Sequence, residues 1–139
     1  MAQLFNDGIT SIIKGEIDFL NDTIKVALYT TAPDIDADTF LSDITGEATG
    51  SGYTAGGVTL ASKTVTTDDT NNRSVADAAD VQWTGLTTSF RYYVVYQSTG
   101  VSSTSRLIAF HDLGSTQTIN AGTYDITWPA SGVFNIANA

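Results

Sequence analysis

The chain has 139 residues, about one domain's worth, with 42% hydrophobic and only 15% charged residues; that content disfavours disorder, and the length suffices to bury a core without staples. The net charge is −9 with six Lys and Arg, scattered from Lys14 to Arg106, so the clustered cations that phosphates require are missing and direct nucleic-acid or anionic-membrane binding is not expected. Cysteine is absent, which excludes disulfides, thiolate metal sites and cysteine nucleophiles.

The remaining surface must be largely Thr, Ser, Asn and Gly. A neutral, hydroxyl-rich exterior suits a protein that packs against copies of itself or against a neighbour. The opening MAQLFNDG has no basic segment followed by an apolar run, so no signal peptide is expected. No apolar stretch approaches the ~20 residues that span a bilayer.

Taken in order, residues 1–16 read as an N-terminal helix or an extended arm. Leu4/Phe5, Ile9 and Ile12/Ile13 fall near helical spacing, and Gly15 suits a left-handed helix cap. This segment packs on its own domain or reaches a neighbour, which makes Leu4, Phe5 and Ile9 interface candidates. Residues 17–139 read as the β domain. In IDFLNDTIKVALYT, Asn21-Asp22 marks a turn between two alternating runs, so a hairpin is expected, with Ile24, Val26 and Leu28 facing inward. Pro33 ends that strand.

Residues 33–50 form a long connection, in which Asp38-Thr39 is expected to start a short helical turn through Phe40, Leu41 and Ile44. The following GSGYTAGGVTL carries four glycines that permit positive φ or close backbone approach, with Tyr53 as an anchor on a neighbouring strand and a further interface candidate. Val58 to Thr67 reads as one strand. TTDDTNNR is a turn in which Asp and Asn side chains hold local backbone donors. Arg73 to Trp83 is extended, broken near Ala78-Ala79.

Ser89 to Gln97, SFRYYVVYQ, is the strongest strand signal. Phe90, Tyr92, Val94 and Tyr96 alternate with Tyr93 and Val95, so both faces are apolar and the strand is central, covered on both sides. After a polar loop, Ser98 to Ser105, the segment Arg106 to Leu113 reads as a strand with Ile108 and Phe110 on one face. Asn120-Ala121-Gly122 reads as a tight turn. Tyr124, Ile126 and Trp128 alternate against Thr123, Asp125 and Thr127, and Val133 to Ile136 closes the domain. About eight short strands with turn signals near every ten residues argue for an all-β, antiparallel sandwich of jelly-roll type with a short N-terminal helix, in a single domain over 1–139.

Chemistry-bearing constellations are sparse. His111 is the only histidine, and a triad or histidine metal site needs partners. Asp34, Asp36 and Asp38 form D-x-D-x-D, a weak calcium-loop candidate. The EF-hand positions for Gly and Glu hold Thr39 and Thr45, so that pattern fails, and a solvated loop with capping acids is the expectation. GSGYTAGG lacks the Lys-Ser/Thr of a phosphate loop. Trp83, Trp128 and the tyrosines fall mostly on inward positions, so core packing outweighs a sugar platform. Neither a cofactor nor an enzymatic activity is expected.

The order of segments resembles a group of small tailed-bacteriophage virion proteins. The matching pieces are LFNDGITSIIKGEID, DTIKVALYT, a loop ending GSGYTAGGVTLASKTV, then DDTNNRSVADAADVQWTGL, FRYYVVYQ and LIAFHDLGSTQTINAGTYDITWPASGVFNI. They cover nearly the whole chain, and their order and the GYTAGG element carry most of the weight. The resemblance implies a capsid-decorating (cement) protein, or a collar or tail component, found in the virion after synthesis in the host cytoplasm. It implies the major capsid protein or another virion protein as partner, and a homo-oligomer with three-fold clustering favoured. It transfers no enzymatic residues. A carbohydrate-binding host-attachment module using exposed Tyr or Trp is the reading from another class.

Overall fold

The computed structural model describes residues 2–138. The elements, in chain order, are β1 (Gln3–Leu4), α1 (Asn6–Ile13), β2 (Ile24–Tyr29), a 3₁₀ turn (Leu41–Asp43), β3 (Val58–Thr59), β4 (Thr64–Asp68), β5 (Arg73–Asp77), β6 (Val81–Gln97), β7 (Leu107–Ile126) and β8 (Phe134–Ala137). They form two antiparallel sheets, a five-stranded one in the order β1-β7-β6-β2-β3 and a three-stranded one in the order β4-β5-β8. The all-β expectation, with one short N-terminal helix, therefore holds.

The segment SFRYYVVYQ is central, as its two apolar faces require. It is the second half of β6, with β2 on one side and β7 on the other. One face belongs to the larger core cluster, with Ile24, Val26, Leu28, Trp83, Phe90, Val95, Ile126 and Phe134. The other carries Ala27, Tyr29, Tyr92, Val94 and Tyr96, and is covered by Phe5 and by Ile35, Leu41 and Ile44 of the long connection. That connection is a lid on the sheet, bridged to it at Phe40–Arg106 and Tyr29–Glu47.

β6 and β7 form a hairpin of 17 and 20 residues, interrupted by irregularities in register. Asn120-Ala121-Gly122 does not reverse the chain. It is a bulge within β7, with Ala121 at φ +49°, and it answers a bulge in β6 where Gly85 stands at φ +58°. Paired bulges bend and twist a ribbon without ending it. A further slip between Phe90 and Tyr92 puts Phe90 in the larger cluster and Tyr92 in the smaller, so the simple alternation expected for this strand fails there. The slip between Val95 and Tyr96 likewise separates Ile108 from Phe110, which do not share a cluster.

Two other expectations are corrected. Asn21-Asp22 is not a hairpin turn, because residues 17–23 form no strand. Asp18 instead gathers that turn on itself, accepting from the N–H groups of Leu20 and Asn21 and from Asn21 Nδ2. Val58 to Thr67 is not one strand but two, because the chain leaves the large sheet after Thr59 and enters the small one at Thr64.

The N-terminal segment is a helix that packs in cis. β1 pairs with β7 at Gln3–Phe110 and Leu4–Ala109. The helix ends as the glycine suggested: the Gly15 N–H donates to the Ile12 carbonyl and the Glu16 N–H to the Ser11 carbonyl, a Schellman cap. Gly8 lies against the carbonyl oxygens of Leu107 and Ile108, where a Cβ would come to 2.7 and 2.9 Å, so only glycine lets the helix settle there.

Candidate functional site

The expected candidate residues are mostly committed to the chain's own scaffold. Phe5 is fully buried and meets Phe110 with ring centroids 5.5 Å apart. It is therefore not available as an interface residue, because its side chain fills the protein's own core. Leu4 packs against the larger cluster, and Ile9 is half-buried.

Tyr53 is an anchor within the chain. Its hydroxyl accepts from the Leu28 N–H at 3.0 Å and donates to Glu47 Oε1 at 2.9 Å, while the Gly56 N–H donates to the same carboxylate at 2.5 Å. Burial, chiefly, pushes the Tyr53 phenol well above its usual range. The glycine-rich loop supplies the close approach expected of it: Gly57, at φ +78°, lies so near β2 that a Cβ would run into the Val26 carbonyl oxygen. With Tyr96 donating to the Gly56 carbonyl at 2.6 Å, this polar network pins a loop across the edge of β2.

The acids of the D-x-D-x-D segment also act locally. Asp34 Oδ1 accepts from the N–H groups of Asp36 and Ala37, Asp38 Oδ2 from the Asp34 N–H, and Asp36 Oδ1 from Asn6 Nδ2. The capping acid of the 3₁₀ turn is Asp43, which accepts from the Thr39 and Phe40 N–H groups; Asp38, the expected start, plays no part in it. Among the described residues, no group of three or more His, Cys, Asp or Glu is placed to hold a metal ion. His111 stacks on Tyr93 with centroids 5.0 Å apart, beside a small cleft of about 240 Å³ that also takes in Thr127 and Asn135. Trp83 and Trp128 are buried, and the Trp128 indole donates to the Ala79 carbonyl at 3.0 Å.

What remains outward-facing is an apolar groove of about 460 Å³. Its floor is one face of the small sheet. Register aligns Val65 with Ala76 and Phe134, and Thr67 with Ser74 and Ile136, and side chains two apart share a face. Its walls are Ile12 of α1 and the turn from Ile17 to Leu20, with Phe19 meeting Phe134 edge-on at 5.4 Å. Large apolar side chains stand open here: Leu20 is 48% exposed, Val65 49% and Ile136 42%. Exposed aliphatics gathered at one place mark interaction surfaces.

The one charged group in the lining, Asp18, is occupied by its own turn; the Asn21 amide above all holds its carboxyl below the usual carboxylate range. Sequence reading missed Leu20, Val65 and Ile136. None was assigned a face in its segment, and only the lone Val65 among threonines gave any signal. Among the described residues, no helix is long and apolar enough to cross a membrane. No family model, curated protein or solved structure matches this chain.

Proposed function

We propose that this chain is a non-enzymatic structural protein of a tailed-bacteriophage particle, a decoration (cement) subunit that binds the capsid exterior and stabilises the head. The observation that carries the reading is the apolar groove between α1 and the small sheet. It offers contact area in place of a convergent set of reactive groups, as a subunit working through its outline requires. The whole-chain resemblance supports the same reading, and so does a low share of charged residues, 15%, which leaves fewer groups that are costly to desolvate when the surface meets a shell. Many modest contacts repeated over a lattice add up through avidity. The major capsid protein is the partner in this proposal.

Two measurements test it. Quantification of the chain in purified particles is expected to find it in proportion to the capsid protein. A handful of copies would move it to the neck or tail, and absence would overturn the reading. The double variant Val65→Asp/Ile136→Asp is expected to lose binding to undecorated heads while keeping its far-ultraviolet circular dichroism. Undiminished binding would show that the groove is not the contact.

A further inference from the structure

We propose that the outer edge of β4 pairs antiparallel with the same edge of a second copy, about a two-fold axis at Thr66, joining two grooves into one apolar floor. This rests on the groove being an interface and deepens it: the second copy takes the edge beside the groove and leaves the joined floor to face the shell.

β4 has a neighbouring strand on one side only. Proteins normally guard such edges with charge, proline or a bulge. Thr64–Thr67 has none of these, and all four residues are exposed. The five-stranded sheet, by contrast, ends in strands of only two residues, β1 and β3, which are too short to template pairing.

Charge selects the occupant. On a chain of net charge −9, this edge is a neutral strip. Lys63 is drawn inward to the Asp22 carbonyl. Asp68 is closed by Arg73 Nε at 2.8 Å and by Asn71. The Asp18 carboxylate in the groove is taken by its own turn. A basic arm from another protein therefore finds no free acid within Thr64–Asp68 to complement, the exposed Asp69 lying past the end of the strand.

A second copy meets no such mismatch. Pairing about Thr66 sets Thr66 against Thr66, Val65 against Thr67 and Thr64 against Asp68, so no like charges stand opposite. Cross-strand threonine pairs are favourable. Val65 already lies in line with Ala76 and Phe134, so the row would continue through the second copy's Thr67, Ser74 and Ile136. The contact is self-complementary and closes at two copies.

The absence of cysteine makes a clean test. At the axis, two Thr66→Cys side chains are directly opposite, at the roughly 4.5–5.5 Å Cα spacing of antiparallel partners, within disulfide range. Two Thr64→Cys residues would be offset by four positions, roughly 13 Å, beyond the roughly 7 Å limit. We expect the wild type to sediment as a dimer at tens of micromolar, and Thr66→Cys to oxidise to a covalent dimer at least tenfold faster than Thr64→Cys. Val65→Lys should shift the protein to monomer without changing its circular dichroism. A monomeric wild type overturns the pairing, as does a trimer or other oligomer in which Thr66→Cys links no faster than Thr64→Cys. Either result leaves the virion reading to the particle count, which is independent of this edge.

Discussion

The rings of Phe90 and Tyr124 meet edge to face, with centroids 4.7 Å apart, although their strand partners are far removed. Phe90 lies opposite Gln117, and Tyr124 opposite Trp83. Seven residues of straight ribbon would separate them by about 23 Å. The contact requires the β6–β7 hairpin to curl back on itself, and the corner is the bulge pair at Gly85 and Ala121. Along the concave side lie Trp83, Tyr53 and Tyr124, with centroids 6.4 and 6.3 Å from the Trp83 ring.

Gly85 should therefore be sensitive although its side chain position is open. A Cβ there meets nothing within 4 Å, so the cost of Gly85→Ala is backbone strain alone, about 1–2 kcal/mol at this positive φ. Gly85→Asn should cost less, because Asn tolerates the left-handed region. Urea unfolding midpoints of the two variants are the check.

Tyr53→Phe should cost about 1–3 kcal/mol. The Tyr53 hydroxyl takes the Leu28 N–H, which the two-residue β3 does not reach, and removing it strands a backbone donor beside the core. The ring and its packing on Trp83 survive the substitution. A denaturation curve indistinguishable from wild type would contradict this account of the loop.

Phe5→Ala should lower the stability of the isolated chain by about 3–5 kcal/mol, the usual cost of emptying a buried aromatic site. An arm that reached a neighbour would leave the isolated chain's stability unchanged. Unfolding at low protein concentration, where association is negligible, separates the two.

Stability should fall at both ends of the pH scale. Arg91, which grips Asp112 through Nε and Nη2 at 2.8 and 3.0 Å, is the main cause holding that carboxyl below its usual range; Asn71 and then Arg73 do the same for Asp68. Groups depressed in the folded state contribute fully above the unfolded value of about 3.9, and the contribution is lost as pH falls through their folded values. At the alkaline end, burial first of all pushes the Tyr93 and Tyr96 phenols up to about 12. The unfolded chain ionises at about 10, so stability is lost as pH rises from there through 12. Circular dichroism and tyrosinate absorbance should change together in that window; tyrosinate forming in an intact fold would contradict it.

The centre of this protein was legible because SFRYYVVYQ carries apolar groups on both faces, a pattern that only a covered strand tolerates. The helix end was legible for the same local reason, since Gly15 is the residue a left-handed cap selects. The errors share a cause. Asn-Ala-Gly at 120–122 and Asn-Asp at 21–22 have turn chemistry, but a positive φ serves a bulge as readily as a reversal, and a distant partner strand decides between them. The groove was hidden for a related reason. Val65 and Ile136 alternate as inward residues do, and whether the space above them is filled depends on how far α1 and the Ile17–Leu20 turn extend over the small sheet.

Because Leu4 pairs with Ala109 and Gly8 rests on Leu107 and Ile108, this segment docks only on chain made far downstream of it. During synthesis, Phe5 has no pocket until the first residues of β7, Leu107 to Phe110, have left the ribosome. Long-range closure of this kind is slow and leaves a sticky segment waiting. An organism that needs many copies at once would have to keep that nascent segment shielded, and a first helix of only eight residues keeps the exposure small.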